Sequence, residues 1–241
     1  MHYAISDIHG NTARLASILD QIQLQEEDTL YVIGDVVDRH SDGIRMLLQF
    51  MEMPNVKMIL GNHEYMMLRA LGHPYDGENI TPEIAEKAWD HWYRNGGDVT
   101  HHRFKHQRKA TQKQIIDYLR SLPLQYDVHL EGRDYRLVHA TAAEDFATNK
   151  DPRCPNPVHF SVWKRWEAEE FPRHPYTVIF GHTPTRYFRE QSPMEIWRKE
   201  GYIGIDCGCG YPEGDPRGRL CCLRLDDGKV FYSEESDGKI P

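Results

Sequence analysis

Leu30-Tyr31-Val32-Ile33-Gly34-Asp35-Val36-Val37-Asp38-Arg39 opens as an apolar run of strand type and stops at Gly34, where two carboxylates and an arginine follow. An α/β protein delivers charge in this way to the C-terminal edge of a buried parallel strand, where ligands collect. Asp35 and Asp38 lie three apart, with Arg39 directly behind. One carboxylate can hold metal, the second can orient a neighbour, and the guanidinium can fork onto phosphate oxygens. The same acids could equally cap the next helix, so the decision passes to the rest of the chain.

Upstream, Tyr3-Ala4-Ile5-Ser6 reads as a strand broken by Asp7-Ile8-His9-Gly10-Asn11. The helix after it carries Leu15, Ile18, Leu19 and Ile22 on one face, and its N-terminus turns partial positive charge toward whatever Asp7 and His9 hold. Downstream, a helix over 42–51 presents Ile44, Leu47, Leu48 and Met51 inward. Val56-Lys57-Met58-Ile59-Leu60 then forms a third strand, ending in Gly61-Asn62-His63-Glu64 and another helix. Three strands that each end in a polar cluster and lead into a helix follow βαβαβ logic.

From 72 to 123 the pattern turns helical. Thr81-Pro82-Glu83 opens a helix bearing Ile84, Ala88, Trp89 and Trp92 that closes at Gly96-Gly97, and a second helix over 111–121 carries Ile115, Ile116 and Leu119. This insertion reads as a lid or flank rather than a separate domain, being too short to bury its own core. The expectation is one domain over 1–241. His101, His102 and His106 fall in what reads as a loop and, without acids or cysteines at ligand spacing, as solvated histidines. Strands follow at 125–130 and 135–139, the second ending in His139, and residues 144–160 read as loop. Tyr176 to Phe180 is a buried strand ending in Gly181-His182-Thr183-Pro184. Three strands at 202–205, 219–225 and 229–233 close the chain.

The bulk properties exclude several classes. A charged fraction of 27% beside 39% hydrophobics describes a soluble globular chain rather than a disordered one. A net charge of -8 argues against a nucleic-acid-coating surface. No apolar run approaches the roughly 18 residues of a membrane span. The N-terminus enters a strand at once, leaving no room for a signal peptide, so a cytoplasmic location is expected. Cys154, Cys207, Cys209, Cys221 and Cys222 lack zinc-knuckle spacing and read as reduced structural thiols.

Five strands thus end in metal-capable groups: Asp7/His9, Asp35/Asp38, Asn62/His63, His139 and His182. A single strand-end histidine is usually a satisfied one. Five such ends in this mixed carboxylate, imidazole and amide chemistry are hard to explain as helix caps, and they suit a pair of divalent ions such as manganese, iron or zinc.

In order, Asp7-Ile8-His9-Gly10, Gly34-Asp35-Val36-Val37-Asp38-Arg39, Gly61-Asn62-His63-Glu64, His139 and Gly181-His182-Thr183 resemble the motifs of the calcineurin-like metallophosphoesterases. The resemblance is nearest to their serine/threonine protein phosphatase branch with its bacterial and phage members. It runs from residue 5 to about 183, and Ile205-Asp206-Cys207-Gly208 looks like the family's late strand.

The resemblance implies an α/β fold, a four-layer αββα sandwich with a helical insertion. It implies that Asp7 and His9 hold one divalent ion, that Asn62, His139 and His182 hold a second, and that Asp35 bridges them, with manganese the first choice and iron or zinc behind it. A hydroxide shared by the two cations would attack phosphorus in line. Arg39, and Arg165 in Trp163-Lys164-Arg165, would bind phosphoryl oxygens. His63 would protonate the leaving oxygen, with Asp38 fixing its tautomer.

Three departures stand out: Ser6 and His40 where glycines are common, and Thr183 where many nuclease relatives carry a second histidine. The last favours the protein phosphatase branch. The expected activity is therefore metal-dependent hydrolysis of phosphate monoesters on phosphoproteins or small phosphoesters. A dinucleoside tetraphosphate hydrolase is the alternative. A non-catalytic phosphate-sensing module ranks last, since a binding module needs no general acid.

Overall fold

The computed structural model describes residues 1–149, 151–192, 194–211 and 218–234. The first half alternates as expected: β1 (His2–Ile5), α1 (Thr12–Ile22), β2 (Thr29–Val32), α2 (Gly43–Glu52), β3 (Val56–Met58) and α3 (Asn62–Ala70). The insertion supplies α4 (Pro82–Arg94), α5 (Asp98–Lys105) and α6 (Lys109–Ser121). β4 (Gln125–Leu130), β5 (Arg133–Val138), α7 (Pro157–Trp163), β6 (Thr177–Phe180), β7 (Trp197–Lys199), β8 (Tyr202–Gly204), β9 (Cys221–Arg224) and β10 (Val230–Tyr232) complete the chain.

Among the described residues ten strands form two sheets, ordered β10-β9-β1-β2-β3 and β4-β5-β6-β8-β7. The first is parallel through β1, β2 and β3 with β9 and β10 antiparallel at one edge, and the second has a parallel centre, β5-β6-β8, with antiparallel strands at both edges. A strand buried on both sides sends alternate residues to opposite layers. Tyr3, Ile5, Leu30 and Val32 accordingly join the cluster under the helices, while Ala4, Tyr31 and Ile33 join the layer between the sheets. There they meet Leu137 of β5, Ile179 of β6 and Ile203 of β8. Val138, Val178 and Phe180 face outward on the second sheet, covered by Phe171 and Phe188. The stacking is the αββα sandwich expected from the motifs, with the fourth layer thin and largely irregular.

Register sets the site. Ile5 pairs with Val32 and Val32 with Met58, so three parallel strands end level and release Asp7, Asp35 and Asn62 side by side. On the second sheet Val138 pairs with Phe180 and Phe180 with Gly204, which brings His139, His182 and Asp206 out together. The same edges of the two stacked sheets therefore face one place.

Some local readings differ. The segment holding His101 and His102 is helix α5, not a loop: Thr100 and Phe104 are buried on its inner side, four apart as a helix requires. His101 packs against Trp89 and accepts or donates to the Tyr93 hydroxyl at 2.5 Å, and the ring of His102 lies beside His106, which caps the helix end. Residues 144–160 are not wholly irregular, since a 3-10 turn spans Ala143–Ala147 and α7 begins at Pro157, capped by the Asn156 side chain on His159 N at 2.8 Å. β7 is too short to show a strand pattern in the sequence. The side chains of Ala88, Trp92, Phe104, Ile115, Ile116 and Leu119 lie in the same apolar cluster as α1, α2 and α3, so the insertion shares the core. All five cysteines are buried free thiols. No helix among the described residues is long and apolar enough to cross a membrane.

Gly34 shows how tightly the strand ends are packed. Its φ is +91°, a region open mainly to glycine. A Cβ there would also meet the backbone of Gly61 at 2.7 Å. Gly34→Ala should cost about 3 kcal/mol and lower Tm by about 6–12 °C. A thermal melt followed by circular dichroism checks it, and a Tm within about 2 °C of the parent contradicts the packing argument.

Candidate active site

Asp7, His9, Asp35, Asp38, Arg39 and His182 all have positive φ, from 50° to 72°. Left-handed backbone at non-glycine residues costs on the order of 1 kcal/mol each, so something must hold these turns. At the central one it is Glu64, fully buried at the start of α3. Its carboxylate accepts the N–H groups of Asp35, Val36, Val37 and Gly61 at 2.8 to 3.1 Å. Burial raises the Glu64 pKa, and the backbone donors pull it back.

The imidazoles are oriented by backbone carbonyls. His9 Nδ1 lies 3.0 Å from Val37 O, His139 Nδ1 2.8 Å from Ile33 O, and His182 Nε2 3.2 Å from Trp163 O. A ring N–H must face each carbonyl, so the hydrogen-bond network assigns the opposite nitrogen a bare lone pair. Those lone pairs converge. His139 Nε2 and His182 Nδ1 both stand 2.8 Å from Asn62 Oδ1. Three electron-pair donors meet there with no proton among them. His9 Nε2 and His139 Nε2 likewise face the Asp35 carboxylate at 3.7 and 3.4 Å. Burial lowers the pKa of His9, His139 and His182, which keeps the rings neutral. Neutral imidazoles fixed by a second partner, with carboxylate and amide oxygens between them, are the donor set of a divalent cation site.

Among the described residues two overlapping groups could hold an ion: His9, Asp35 and His63, and Asp35, His139 and His182, with Asp35 common to both. Asp7 lies outside both groups. Its Oδ2 accepts the His182 backbone N–H at 3.0 Å and the hydroxyl of Ser6.

Beside them sits a relay. His63 Nδ1 is 2.7 Å from Asp38 Oδ2, and Trp92 Nε1 from the insertion donates to both Asp38 oxygens at 2.9 and 3.0 Å. The Asp38 backbone N–H donates to Thr100 Oγ1 at 2.8 Å. Burial pushes Asp38 up to about 7 and His63 down to about 3. The raised Asp38 holds that carboxyl closer to its neutral form, while the lowered His63 favours the neutral imidazole with its Nδ1–H on Asp38, which leaves Nε2 toward the open side. Arg39, exposed, donates from Nη2 to that nitrogen at 3.3 Å.

Eight of the residues expected from the motifs (Asp7, His9, Asp35, Asp38, Asn62, His63, His139 and His182) therefore meet in one buried cluster, with Arg39 at its mouth. Arg165 is at the rim: exposed, it donates from Nη2 to the His182 carbonyl at 3.3 Å. His40 bonds the His9 carbonyl at 2.9 Å and so braces the turn. Sequence reasoning gave no role to Glu64, Trp92 or Asp206. Asp206 is buried, accepts from Gly208 N at 2.9 Å, and has its pKa raised first by burial and then by Asp7. It follows a strand end just as the other acids do, so the signal for it was present.

Burial raises the carboxyls of Asp7, Asp35 and Asp206 above their ordinary 3.8. Without cations the folded state thus holds protons that the unfolded chain has released. That contribution to stability is complete below about pH 4 and is lost as pH rises toward 7. Cation binding has the opposite slope, because the ligands must be ionised. The Tm gain from added Mn²⁺ over chelator-treated protein should therefore grow between about pH 5 and pH 7.5. A gain that is flat or shrinks over that range contradicts the cation site.

The family model of the calcineurin-like phosphoesterases matches residues 3–208. A symmetrical bis(5'-nucleosyl)-tetraphosphatase from Chromobacterium violaceum is 27% identical over 190 residues, which cover 77% of this chain and 57% of that protein. One of the same name from Paracidovorax citrulli is 25% identical over 199 residues, 81% of this chain and 62% of its own length. The chain thus spans less than two thirds of these relatives. A protein serine/threonine phosphatase from Saccharomyces cerevisiae shares the fold, with a TM-score of 0.57 at 14% identity, covering 99% of this chain and 81% of that one. With the family model matching most of its length and the strand-end cluster assembled, the chain belongs to the calcineurin-like phosphoesterase family.

Proposed function

We propose that the chain hydrolyses nucleoside polyphosphates, as a symmetrical dinucleoside tetraphosphatase, with two divalent ions held by Asp7, His9, Asp35, Asn62, His139 and His182. Manganese is the proposed metal. When bound, the ions supply Lewis-acid neutralisation of phosphoryl charge and a lowered pKa for the attacking water. The observation that carries the substrate class is a cavity of about 350 Å³ beside His182, lined by Arg153, Lys164 and Arg165. Asp151 is the acid on that wall, and it is shared, at 2.7 Å from Arg153 and 3.2 Å from Lys164. A surplus of cations beside the cluster suits a chain of phosphates better than a single monoester. The names of the curated relatives point the same way.

In this reading Arg39 binds the oxygens of the reacting phosphoryl group, and Arg165 those of its neighbour. Asp38 and Trp92 hold His63 with Nε2 toward the leaving oxygen, and the imidazolium form, its charge balanced by Asp38, gives the Nε2 proton to that oxygen. The second reading, a protein serine/threonine phosphatase, draws on Thr183-Pro184 after His182, where many nuclease relatives carry a second histidine.

The two readings separate by chemistry. A nucleotide leaving through a phosphate oxygen needs less help from an acid than a serine alkoxide does. His63→Asn should lower kcat by roughly 10²–10⁴ on a phosphoserine peptide, and by a smaller factor on diadenosine tetraphosphate. With Mn²⁺ matched, the parent should show the higher kcat/KM on the tetraphosphate. A preference for the peptide overturns the nucleotide reading. Unchanged turnover of both substrates in the variant removes His63 from the acid role.

A further inference from the structure

Between α3, α4 and α7 lies a second cavity of about 250 Å³ that contains none of the clustered acids. Ile84, Lys87 and His91 reach it from α4, being three and seven apart on one helix face. Arg69 enters from α3, and His159 and Trp163 from α7. Its walls are rings. His91 stacks on Trp163 with centroids 5.1 Å apart and planes at 19°, and His159 does so at 5.8 Å and 23°. Trp163 also turns toward the ring of His182, 5.7 Å away at 86°. The indole is thus the partition between this cavity and the metal-binding cluster. Trp163 and His159 line the cationic cavity on the other side as well.

Among the described residues two nitrogens of this lining, Arg69 Nε and His159 Nδ1, are buried without a hydrogen bond, and of these Arg69 Nε is ion-paired with Glu78 Oε1 at 3.0 Å. His159 Nδ1 is buried and makes no hydrogen bond among the described residues, although buried polar groups in folded proteins are nearly always partnered. A purely aliphatic occupant would leave it unsatisfied. A heterocycle with ring nitrogens and an exocyclic amine would satisfy it while stacking on the rings.

We infer that this cavity is a nucleobase subsite, in which a base stacks against Trp163 and His91 and, with the His159 ring turned to bring its closed-off Nδ1 to the cavity, bonds that nitrogen. The phosphates attached to it run past Trp163, along Arg153, Lys164 and Arg165, toward His182. The inference rests on the nucleoside-polyphosphate reading and adds where the nucleoside goes. The volume suits it: about 250 Å³ holds one ring system and is smaller than the roughly 300–1,000 Å³ of clefts for drug-sized ligands. Charge agrees too: Arg69 is balanced by Glu78 at 3.0 Å, but Lys87 at this cavity and the three cations beyond Trp163, with Asp151 as the acid among them, favour an anionic ligand. An aromatic side chain of a phosphopeptide could stack here, but it brings no string of phosphates for those cations.

The test is calorimetric binding to the full chain loaded with Mn²⁺, using ADP, inorganic pyrophosphate and phosphoserine peptides with and without an aromatic neighbour. ADP should bind at least fivefold more tightly than pyrophosphate, and a smaller ratio overturns the subsite. Ile84→Trp, which fills the cavity from its rim, should reduce that ratio by more than half. Should that variant fail to fold, His91→Ala, which removes one stacking ring from an exposed position, carries the same expectation. A ratio retained in the folded variant overturns the inference. A peptide that gains affinity from its aromatic residue, and loses that gain in the variant, assigns the cavity to peptides and overturns it as well. Because binding alone is read, ADP preference can appear in a chain that does not cleave diadenosine tetraphosphate. It can also be absent from one that does, so the two proposals fail separately.

Discussion

The Glu64 carboxylate is the constraint on which the site depends. It stands at the first turn of α3 and gathers four backbone N–H groups, three from the Asp35 turn and one from Gly61. Hydrogen bonds to an ionised acceptor are stronger than neutral ones, and here they replace the water that a buried carboxylate loses. They also offset the left-handed backbone at Asp35 and fix the residue between the two sheets. From that position Asp35 accepts the His63 N–H at 3.0 Å and faces three imidazoles. A looser turn would let the central oxygen pair drift by more than the fraction of an ångström that cation coordination tolerates.

The interior that Glu64 braces gathers more acids than cations, and burial favours their protonated forms until a cation takes the proton's place. Asp7, Asp35, Asp38, Glu64 and Asp206 are all buried, and the neighbouring histidines are held neutral. Such a cluster does not contribute to stability by itself, since desolvated like charges repel. It is intelligible as half of a structure whose other half is cationic. The strand registers, the carbonyl-bound imidazoles and the strained turns all serve to keep donor atoms aimed at one place while they repel one another.

Much of this was legible in the chain. Apolar runs ending in Gly-Asp, Gly-Asn-His or a lone histidine gave the parallel strands, the side of the sheet that matters and the cluster members, because a strand end is a local event written in adjacent residues. Boundaries drifted by a residue or two where strands give way to turns, as at β2, which stops at Val32. Helix α5 was hidden because Asp98 to Lys105 is rich in polar and histidine residues and shows its inner face only through Thr100 and Phe104. Trp92 illustrates a different limit. Its bond to Asp38 joins residues 54 apart, and nothing in the spacing of α4 separates an indole that packs from one that also donates. Glu64 was visible as part of a motif, yet its work is to accept N–H groups from a turn whose left-handed geometry appears only in three dimensions.

In the proposed reading, helix α4 is where a generic cluster acquires a preference. Trp92 points from it toward Asp38 and steadies the acid that orients His63, while Ile84, Lys87 and His91 line the cavity against Trp163. The two sets occupy adjoining faces of one helix, so the alignment of His63 and the shape of the neighbouring cavity cannot vary independently. The strand-end residues can activate water and neutralise a phosphoryl group on many substrates. Discrimination has to come from surfaces outside that cluster. Under the proposed subsite such surfaces are supplied by the insertion and by α7, the segments least constrained by strand register.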